Sequence, residues 1–356
     1  MTPAPAGASG YSLLLKQSAG AGGVAMASRP LRDPGPEEVL VRVRRAAICG
    51  TDLHILNWND WAARSYRLPM ALGHEFSGEV VRIGSAVRGF AAGDRVCAET
   101  HLACGHCAQC RMGRGHTCLN LRVFTSLDEG AFGQYTMVPA PLLRRLPAQL
   151  AHRHGCLLEP LGIAARAVMQ GDVAGGTLWV SGCGPVGLLA IAAAKAIGVR
   201  WIAATDLSGP RRALAVEIGA SCVFDPRDGD LRTAAGAEAP DGGVDAVVEA
   251  SGAAVAIHAA LETARPGGTV VLAGLPSAPV ELDLARHVIL REVVLRGIYG
   301  RELDRTWREV EALLPRLGDA LDRIVTHEYE LEDFDEAFAT ALSGNAGKVQ
   351  FRFDET

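Results

Sequence analysis

At 356 residues the chain is long enough for two domains of ordinary size, each with its own core. Its net charge of -5 and the lack of a long basic run exclude the clustered Lys and Arg that phosphate-backbone binding needs, so no nucleic-acid partner is expected. Nine cysteines, an odd number, with no secretory signal point to reduced thiols and a cytoplasmic setting rather than a disulfide framework.

Residues 1–10 are small residues and prolines and read as a frayed leader. From 11 to 96, short β-type runs alternate with turns. Val39-Leu40-Val41-Arg42-Val43-Arg44 and Ser77-Gly78-Glu79-Val80-Val81-Arg82-Ile83-Gly84 are strand patterns, while Asp33-Pro34-Gly35-Pro36 and residues 88–94 supply turns. This predicts an all-β start, a small barrel. Among these runs lie Cys49-Gly50-Thr51-Asp52-Leu53-His54 and Leu72-Gly73-His74-Glu75. Thiol, imidazole and carboxylate are the donor types of a catalytic zinc site, which takes three protein ligands and keeps a fourth position for water or substrate. A buried cysteine and a helix-capping His-Glu pair account for the same residues. Residues 56–69, with Trp58 and Trp61, are less regular.

Cys104, Cys107, Cys110 and Cys118 follow in a Gly- and Arg-rich loop that offers almost no apolar residues to bury them. Four thiols at this spacing fit a closed tetrahedral zinc site, in which no position is left for chemistry. After a β-like stretch at 131–146 comes Cys156-Leu157-Leu158-Glu159-Pro160-Leu161-Gly162.

A second organisation then begins. Thr177-Leu178-Trp179-Val180-Ser181 is a strand, Gly182-Cys183-Gly184-Pro185-Val186-Gly187 a GxGxxG turn, 188–197 a helix, and 201–205 a strand ending at Asp206. Strand, glycine turn, helix and an acidic residue about 20 positions on form the dinucleotide-binding fingerprint. Its glycines let the backbone approach a pyrophosphate at the positive end of the helix. Asp206 would take the adenosine ribose hydroxyls and repel a 2′-phosphate, which favours NAD, while Arg211 and Arg212 keep NADP open. The uncharged run 173–194 imitates a membrane span, but five glycines and Pro185 interrupt it, and strand, turn and buried helix explain its composition, so no membrane partner is expected. The α/β alternation continues through a helix near 210–218, strands at 222–224, 245–249, 269–273 and 293–298, and a turn at Arg265-Pro266-Gly267-Gly268. This is a doubly wound parallel sheet. An amphipathic helix around 307–314 and a β-like Gly347-Lys348-Val349-Gln350-Phe351 close the chain.

Taken together, the chain resembles the zinc-dependent medium-chain dehydrogenases over nearly its whole length. Cys49-Gly50-Thr51-Asp52, Gly73-His74-Glu75, Gly93-Asp94-Arg95-Val96, the four-cysteine lobe and the dinucleotide turn occur in that family's order. Within it the likeness is greatest to the L-threonine 3-dehydrogenase branch, on Asn57-Trp58, Trp61, Glu99-Thr100-His101, Glu159-Pro160-Leu161-Gly162, Gly297-Ile298-Tyr299-Gly300-Arg301-Glu302 and Thr306-Trp307.

The resemblance implies an α/β architecture: a GroES-like β-barrel catalytic domain over 1–160 and 300–356, with a structural zinc lobe at about 97–120, and a Rossmann domain over 161–299. It implies two zinc ions per chain. The catalytic one is held by Cys49, His74 and Glu159, with Glu75 as a fourth or intermittent ligand; the structural one by Cys104, Cys107, Cys110 and Cys118. Thr51 would start a proton relay that His54 continues, and His101 and Arg301 would line the substrate side. Gly182, Gly184, Pro185, Val186 and Gly187 would carry the cofactor pyrophosphate, with Asp206 and Arg211 at the ribose. A small-molecule alcohol as substrate and a homotetramer are further implications.

Where the threonine branch continues with Asn-Ala-Val-His-Thr, this chain has Ile163-Ala164-Ala165-Arg166-Ala167. The change bears on substrate identity and leaves the redox chemistry alone. The expected reaction is oxidation of a secondary alcohol, of L-threonine or a related β-hydroxy amino acid, whose carboxylate Arg301 or Arg166 would meet. Polyol, sugar or cyclitol oxidation is the runner-up, ahead of a zinc-free reductase or a non-catalytic NAD-binding protein. Cys97 or Cys156 would be the alternative third ligand.

Overall fold

The computed structural model describes residues 10–238 and 240–353, so the expected leader lies almost entirely outside the described residues. The chain divides into two compact units, Met1–Glu159 with His327–Ser343 and Lys348–Thr356, and Pro160–Thr326 with Gly344–Gly347. Residues 300–326 therefore belong with the second unit, not with the first as the family pattern suggested. The helix Asp304–Leu313 buries Trp307, Val310 and Leu313, and Arg301 and Thr306 pack against Gly162.

In the first unit the strand Glu38–Ala47 is the central element. Its alternating apolar residues Val39, Val41 and Val43 are buried, as are Leu40, Ala46 and Ala47. It pairs antiparallel with Glu75–Ile83, with Tyr135–Pro139 and with Lys348–Arg352, inside a seven-stranded sheet. Because a strand register fixes which side chains share a face, three distant segments meet at one end of it. Ala47 lies opposite both Glu75 and Gln350, and Ile48 donates its amide to Val349 O at 2.9 Å. Tyr11–Lys16, Val24–Arg29 and Met70–Ala71 form a separate three-stranded sheet.

The stretch expected to be irregular, 56–69, holds the end of one short helix, Gly50–Asn57, and all of a second, Asp60–Ser65. Trp58 ends the first in the left-handed region at φ 49°, and the Asn59 side chain caps the second by accepting from Ala62 N at 3.0 Å. Such local capping by Asn is available wherever the chain must turn between helices.

The second unit holds a six-stranded parallel sheet in the order Cys222–Phe224, Trp201–Thr205, Thr177–Ser181, Val244–Glu249, Ala264–Leu272, Val294–Gly297. Numbered along the chain this is 3-2-1-4-5-6, the dinucleotide-binding order, in which the order of strands reverses between Thr177–Ser181 and Val244–Glu249 while all run parallel. The helix Pro185–Ile197 starts three residues earlier than the apolar run suggested, since proline suits the first turn of a helix. The Arg265-Pro266-Gly267-Gly268 turn is an irregularity inside the strand Ala264–Leu272, across which the pairing with Val244–Glu249 shifts. No helix among the described residues is long and apolar enough to cross a membrane.

Candidate active site and cofactor cradle

Cys49 caps the helix Gly50–Asn57, which sets its Sγ at the positive end of the helix dipole. The register of Glu38–Ala47 against Glu75–Ile83 then brings up His74 and Glu75, and the ligand atoms of Cys49, His74 and Glu75 all lie within 4.8 Å of one another. His74 and Glu75 are buried, and neither His74 Nδ1 nor Glu75 Oε1 has a hydrogen-bond partner in the structure. Buried polar atoms without partners are costly, and a cation bound by this trio would satisfy them. The residues present fit a zinc ion.

Asp52, fully buried, organises the trio. Its Oδ2 accepts from Cys49 N at 2.9 Å, its Oδ1 accepts from Gly73 N at 3.3 Å, and Oδ1 stands 3.7 Å from His74 Nδ1. Burial works against a charged His74, but Asp52 and Cys49 outweigh it and hold the imidazole well above its ordinary range. Lys348 reaches in from the last strand, its Nζ 2.5 Å from Glu75 Oε2, with side-chain exposures of 2% and 0%. Burial alone would lower this lysine; Glu75, Cys49 and Glu159 raise it.

Glu159 stands beside the trio. Its Oε1 accepts from Thr100 Oγ1 at 3.0 Å, and its like charge adds to burial in raising the Glu75 carboxyl, against the pull of Lys348. Cys97 and Cys156, the alternative third ligands, are turned to other partners: Cys97 Sγ to Arg144 O at 3.9 Å, Cys156 Sγ to Arg153 O at 3.4 Å and Gln350 Nε2 at 3.0 Å. Thr51 lies one residue into the helix from Gly50, and His54 follows on the same helix face at i+3. Asn59 Nδ2 lies 2.9 Å from His54 Nδ1, and Trp61 meets the His54 ring edge-on. His101 is buried, with Nδ1 3.3 Å from Glu99 Oε1.

The four-cysteine lobe is assembled as a cage. Sulfur separations are 3.5 Å for Cys107–Cys110, 3.8 Å for Cys107–Cys118 and 4.0 Å for Cys104–Cys110. A tetrahedron with Zn–S bonds of about 2.3 Å requires edges of about 3.8 Å. Backbone amides of Cys104 and Asn120 each point at Cys118 Sγ at 3.3 Å. The backbone of His106 holds the Cys104 thiol down to about 5, while desolvation and the neighbouring sulfurs push Cys110 up to about 12. Negative charge is thus divided unequally among thiols that a divalent cation would hold together.

In the second unit the turn after Thr177–Ser181 matches what a pyrophosphate needs. Gly182 adopts φ +94°, a Cβ on Gly187 would lie 1.8 Å from Gly182 O, and one on Gly184 would meet nothing closer than Arg211 Nη1 at 3.9 Å. The turn is therefore glycine-bound from behind and open at Gly184, with Pro185 and Val186 opening the helix. Asp206 accepts from Cys183 N and Ser208 N, both at 2.8 Å, which fixes its carboxylate beside the turn. Arg211 Nε donates to Ala346 O at 2.8 Å, and Arg212 Nη1 pairs with Asp225 at 3.0 Å. Arg301 is fully buried against Gly162. Arg166 is committed to the same segment, donating to Tyr299 O at 2.9 Å and Gly300 O at 3.0 Å and standing 3.5 Å from Glu302 Oε1.

Residues 35–148 match the alcohol dehydrogenase GroES-like domain, and residues 185–316 match the zinc-binding dehydrogenase domain. The L-threonine 3-dehydrogenase of Bacillus subtilis (strain 168) is 38% identical over 341 residues, covering 96% of this chain and 98% of that protein. The chain belongs to the zinc-dependent medium-chain dehydrogenase family. Among solved members, a zinc-binding dehydrogenase from Sinorhizobium meliloti 1021 bound to NADP superposes with a TM-score of 0.88 at 30% identity, covering 97% of this chain and all of that one. L-idonate 5-dehydrogenase from Escherichia coli gives a TM-score of 0.84 at 27% identity over 97% of this chain and 98% of its own. Membership makes the protein an NAD(P)-dependent alcohol dehydrogenase with a GroES-like domain and a Rossmann domain.

Four residues that organise the medium-chain dehydrogenase site carried no role in the sequence: Asp52, Glu99, Thr100 and Lys348. Asp52 sits three residues after Cys49, the spacing at which a side chain reaches back to a helix N-cap. Lys348 sits inside an otherwise apolar strand pattern, an available signal for a buried charge. Thr100 and Glu99 show no such pattern.

Proposed function

We propose that the protein oxidises a secondary alcohol to a ketone with NAD, acting on the 3-hydroxyl of L-threonine or a related β-hydroxy amino acid. The observation that carries this reading is the convergence of Cys49, His74 and Glu75 within 4.8 Å, with His74 Nδ1 and Glu75 Oε1 buried and without hydrogen-bond partners. In it, Cys49, His74 and Glu159 hold the catalytic zinc, with Glu75 as a fourth or intermittent ligand, and the four-cysteine lobe holds a second, structural zinc. Bound there, zinc would supply a Lewis acid that lowers the pKa of the substrate hydroxyl, and a bound nicotinamide would supply the hydride acceptor.

The chain's own residues do the rest. Asp52 keeps the His74 ring in place, as a carboxylate behind a ligating imidazole does. Thr51, able to donate and accept, takes up the hydroxyl proton, and His54, with Nδ1 engaged by Asn59, exchanges it through Nε2. Arg301 is assigned to the substrate carboxylate, and Arg166 to holding the segment that carries Arg301. The fixed carboxylate of Asp206, with Arg212 occupied by Asp225, supports NAD over NADP. The homotetramer reading draws support from exposed apolar residues on the edge strand Val294–Gly297 and in the segment that precedes it, where Leu284, Ile289, Leu290 and Val294 are 54%, 67%, 81% and 43% exposed.

One observation favours a polyol or sugar as substrate instead: Ile163-Ala164-Ala165-Arg166-Ala167 departs from the threonine pattern, while the fold matches an idonate dehydrogenase well. Following NADH absorbance across L-threonine, sorbitol, inositol-type alcohols and amino-cyclitols decides between them. The threonine reading expects kcat/KM at least about tenfold higher for L-threonine, roughly 1.4 kcal/mol of discrimination. No NADH with L-threonine and turnover of a polyol would replace it.

A further inference from the structure

Glu99 is 1% exposed, a depth at which a carboxylate needs donors. It finds them locally. Its Oε1 accepts from Thr100 N at 2.8 Å and His101 N at 2.9 Å, and faces His101 Nδ1 at 3.3 Å. The corner is held from outside as well: Glu99 N donates to Leu142 O and Phe124 N to Thr100 O, both at 2.8 Å, and His101 pairs with Val123 in a short ladder. Within this corner Thr100 Oγ1 donates to Glu159 Oε1 at 3.0 Å. One buried carboxylate therefore stands behind both the imidazole of His101 and the hydroxyl that holds Glu159.

We propose that Glu99 is a positioning residue, which keeps the His101 proton on Nδ1 so that Nε2 is the nitrogen presented to substrate. The inference rests on the reading above that His101 lines the substrate side. A carboxylate beside one ring nitrogen selects the tautomer and the ring orientation, and with them what the other nitrogen can do. Oxygen Oε1 already accepts from both amides and faces Nδ1 in the structure, so the arrangement is built in advance of binding.

The test uses the zinc-loaded enzyme. Glu99→Gln retains an oxygen for the two amides and removes the charge. In the 15N-histidine-labelled protein, solid-state NMR should show the His101 signal, assigned by its loss in His101→Asn, as the Nδ1-protonated tautomer, with a mixture in Glu99→Gln. KM for the best substrate of the panel should rise about tenfold with kcat within about threefold. Adding Glu99→Gln to His101→Asn should change neither constant further, because residues acting as a unit are non-additive. Should Glu99→Gln fail to fold, Glu99→Asp withdraws the charge by one methylene and should give the same signs. An unchanged tautomer, or effects of the two substitutions that multiply, would overturn the proposal. The tautomer arm needs no substrate, so a wrong assignment of the alcohol shows only in the kinetics.

Discussion

Lys348 keeps its charge where solvent does not reach because Glu75 is 2.5 Å away. Two buried charges of opposite sign tolerate one another, and neither tolerates the loss of its partner. Lys348→Met should therefore lower the unfolding free energy by about 3–5 kcal/mol in urea titrations, and adding Glu75→Gln should recover part of the loss. A cost below about 1 kcal/mol would mean that Glu75 has another counter-charge. At this scale the site was half legible. Cys49, His74 and Glu75 announce themselves because metal-donor types crowd one segment. Asp52 lies inside the same motif yet shows its use only when Gly73 and His74 are folded against it. Lys348 lies nearly three hundred residues from Cys49 and meets the site through strand pairing alone.

The element that gathers the site is the strand Glu38–Ala47, whose end faces Glu75 on one edge and Gln350 on the other. Alternating apolar residues made this strand readable from sequence; its partners were not, because register depends on contacts between distant segments. Residues 56–69 show little pattern in the sequence for the opposite reason. One helix ends at Trp58 and the next runs only from Asp60 to Ser65, which leaves too few turns for a periodic signal. The helix His152–Gly155 gives this sheet a pH dependence. Ser77 Oγ donates to His152 O at 2.6 Å, His152 Nδ1 lies 3.2 Å from Ser77 Oγ, and Arg95 Nε donates to His152 Nε2 at 3.3 Å. Burial and the Arg95 charge push this imidazole down to about 4 from its ordinary 6.5. Between these values the unfolded chain binds a proton that the folded one refuses, so stability is present above the unfolded value and is lost as pH falls toward the folded one. Allowing for solvent screening, the wild type should lose about 1 kcal/mol more than His152→Gln between about pH 7.5 and about pH 5, by urea unfolding. Parallel curves for the two proteins would contradict it.

For the molecule as a whole, both fold classes could be read from the chain, because a β-rich start followed by βα alternation is a coarse pattern that survives local misreadings. The boundary was less readable. Residues 300–326 continue a family motif begun at Gly297, but their apolar side chains, Trp307 and Val310 among them, are buried within the second unit. The strand Val294–Gly297 pairs on one side only among the described residues. An unpaired sheet edge invites another chain, and exposed Ile289 and Leu290 lie in the turn just before it; a chain carrying both Ile289→Asp and Leu290→Asp should sediment as a smaller species than the wild type. Equal masses would remove this segment from the assembly. The central claim, a catalytic zinc built on Cys49, is tested most directly by zinc content and NADH formation in Cys49→Ser. The account predicts about two zinc ions per wild-type chain and about one in the variant, with NAD binding retained and alcohol-dependent NADH formation abolished. Turnover that survives the substitution, or equal zinc in both proteins, would contradict it.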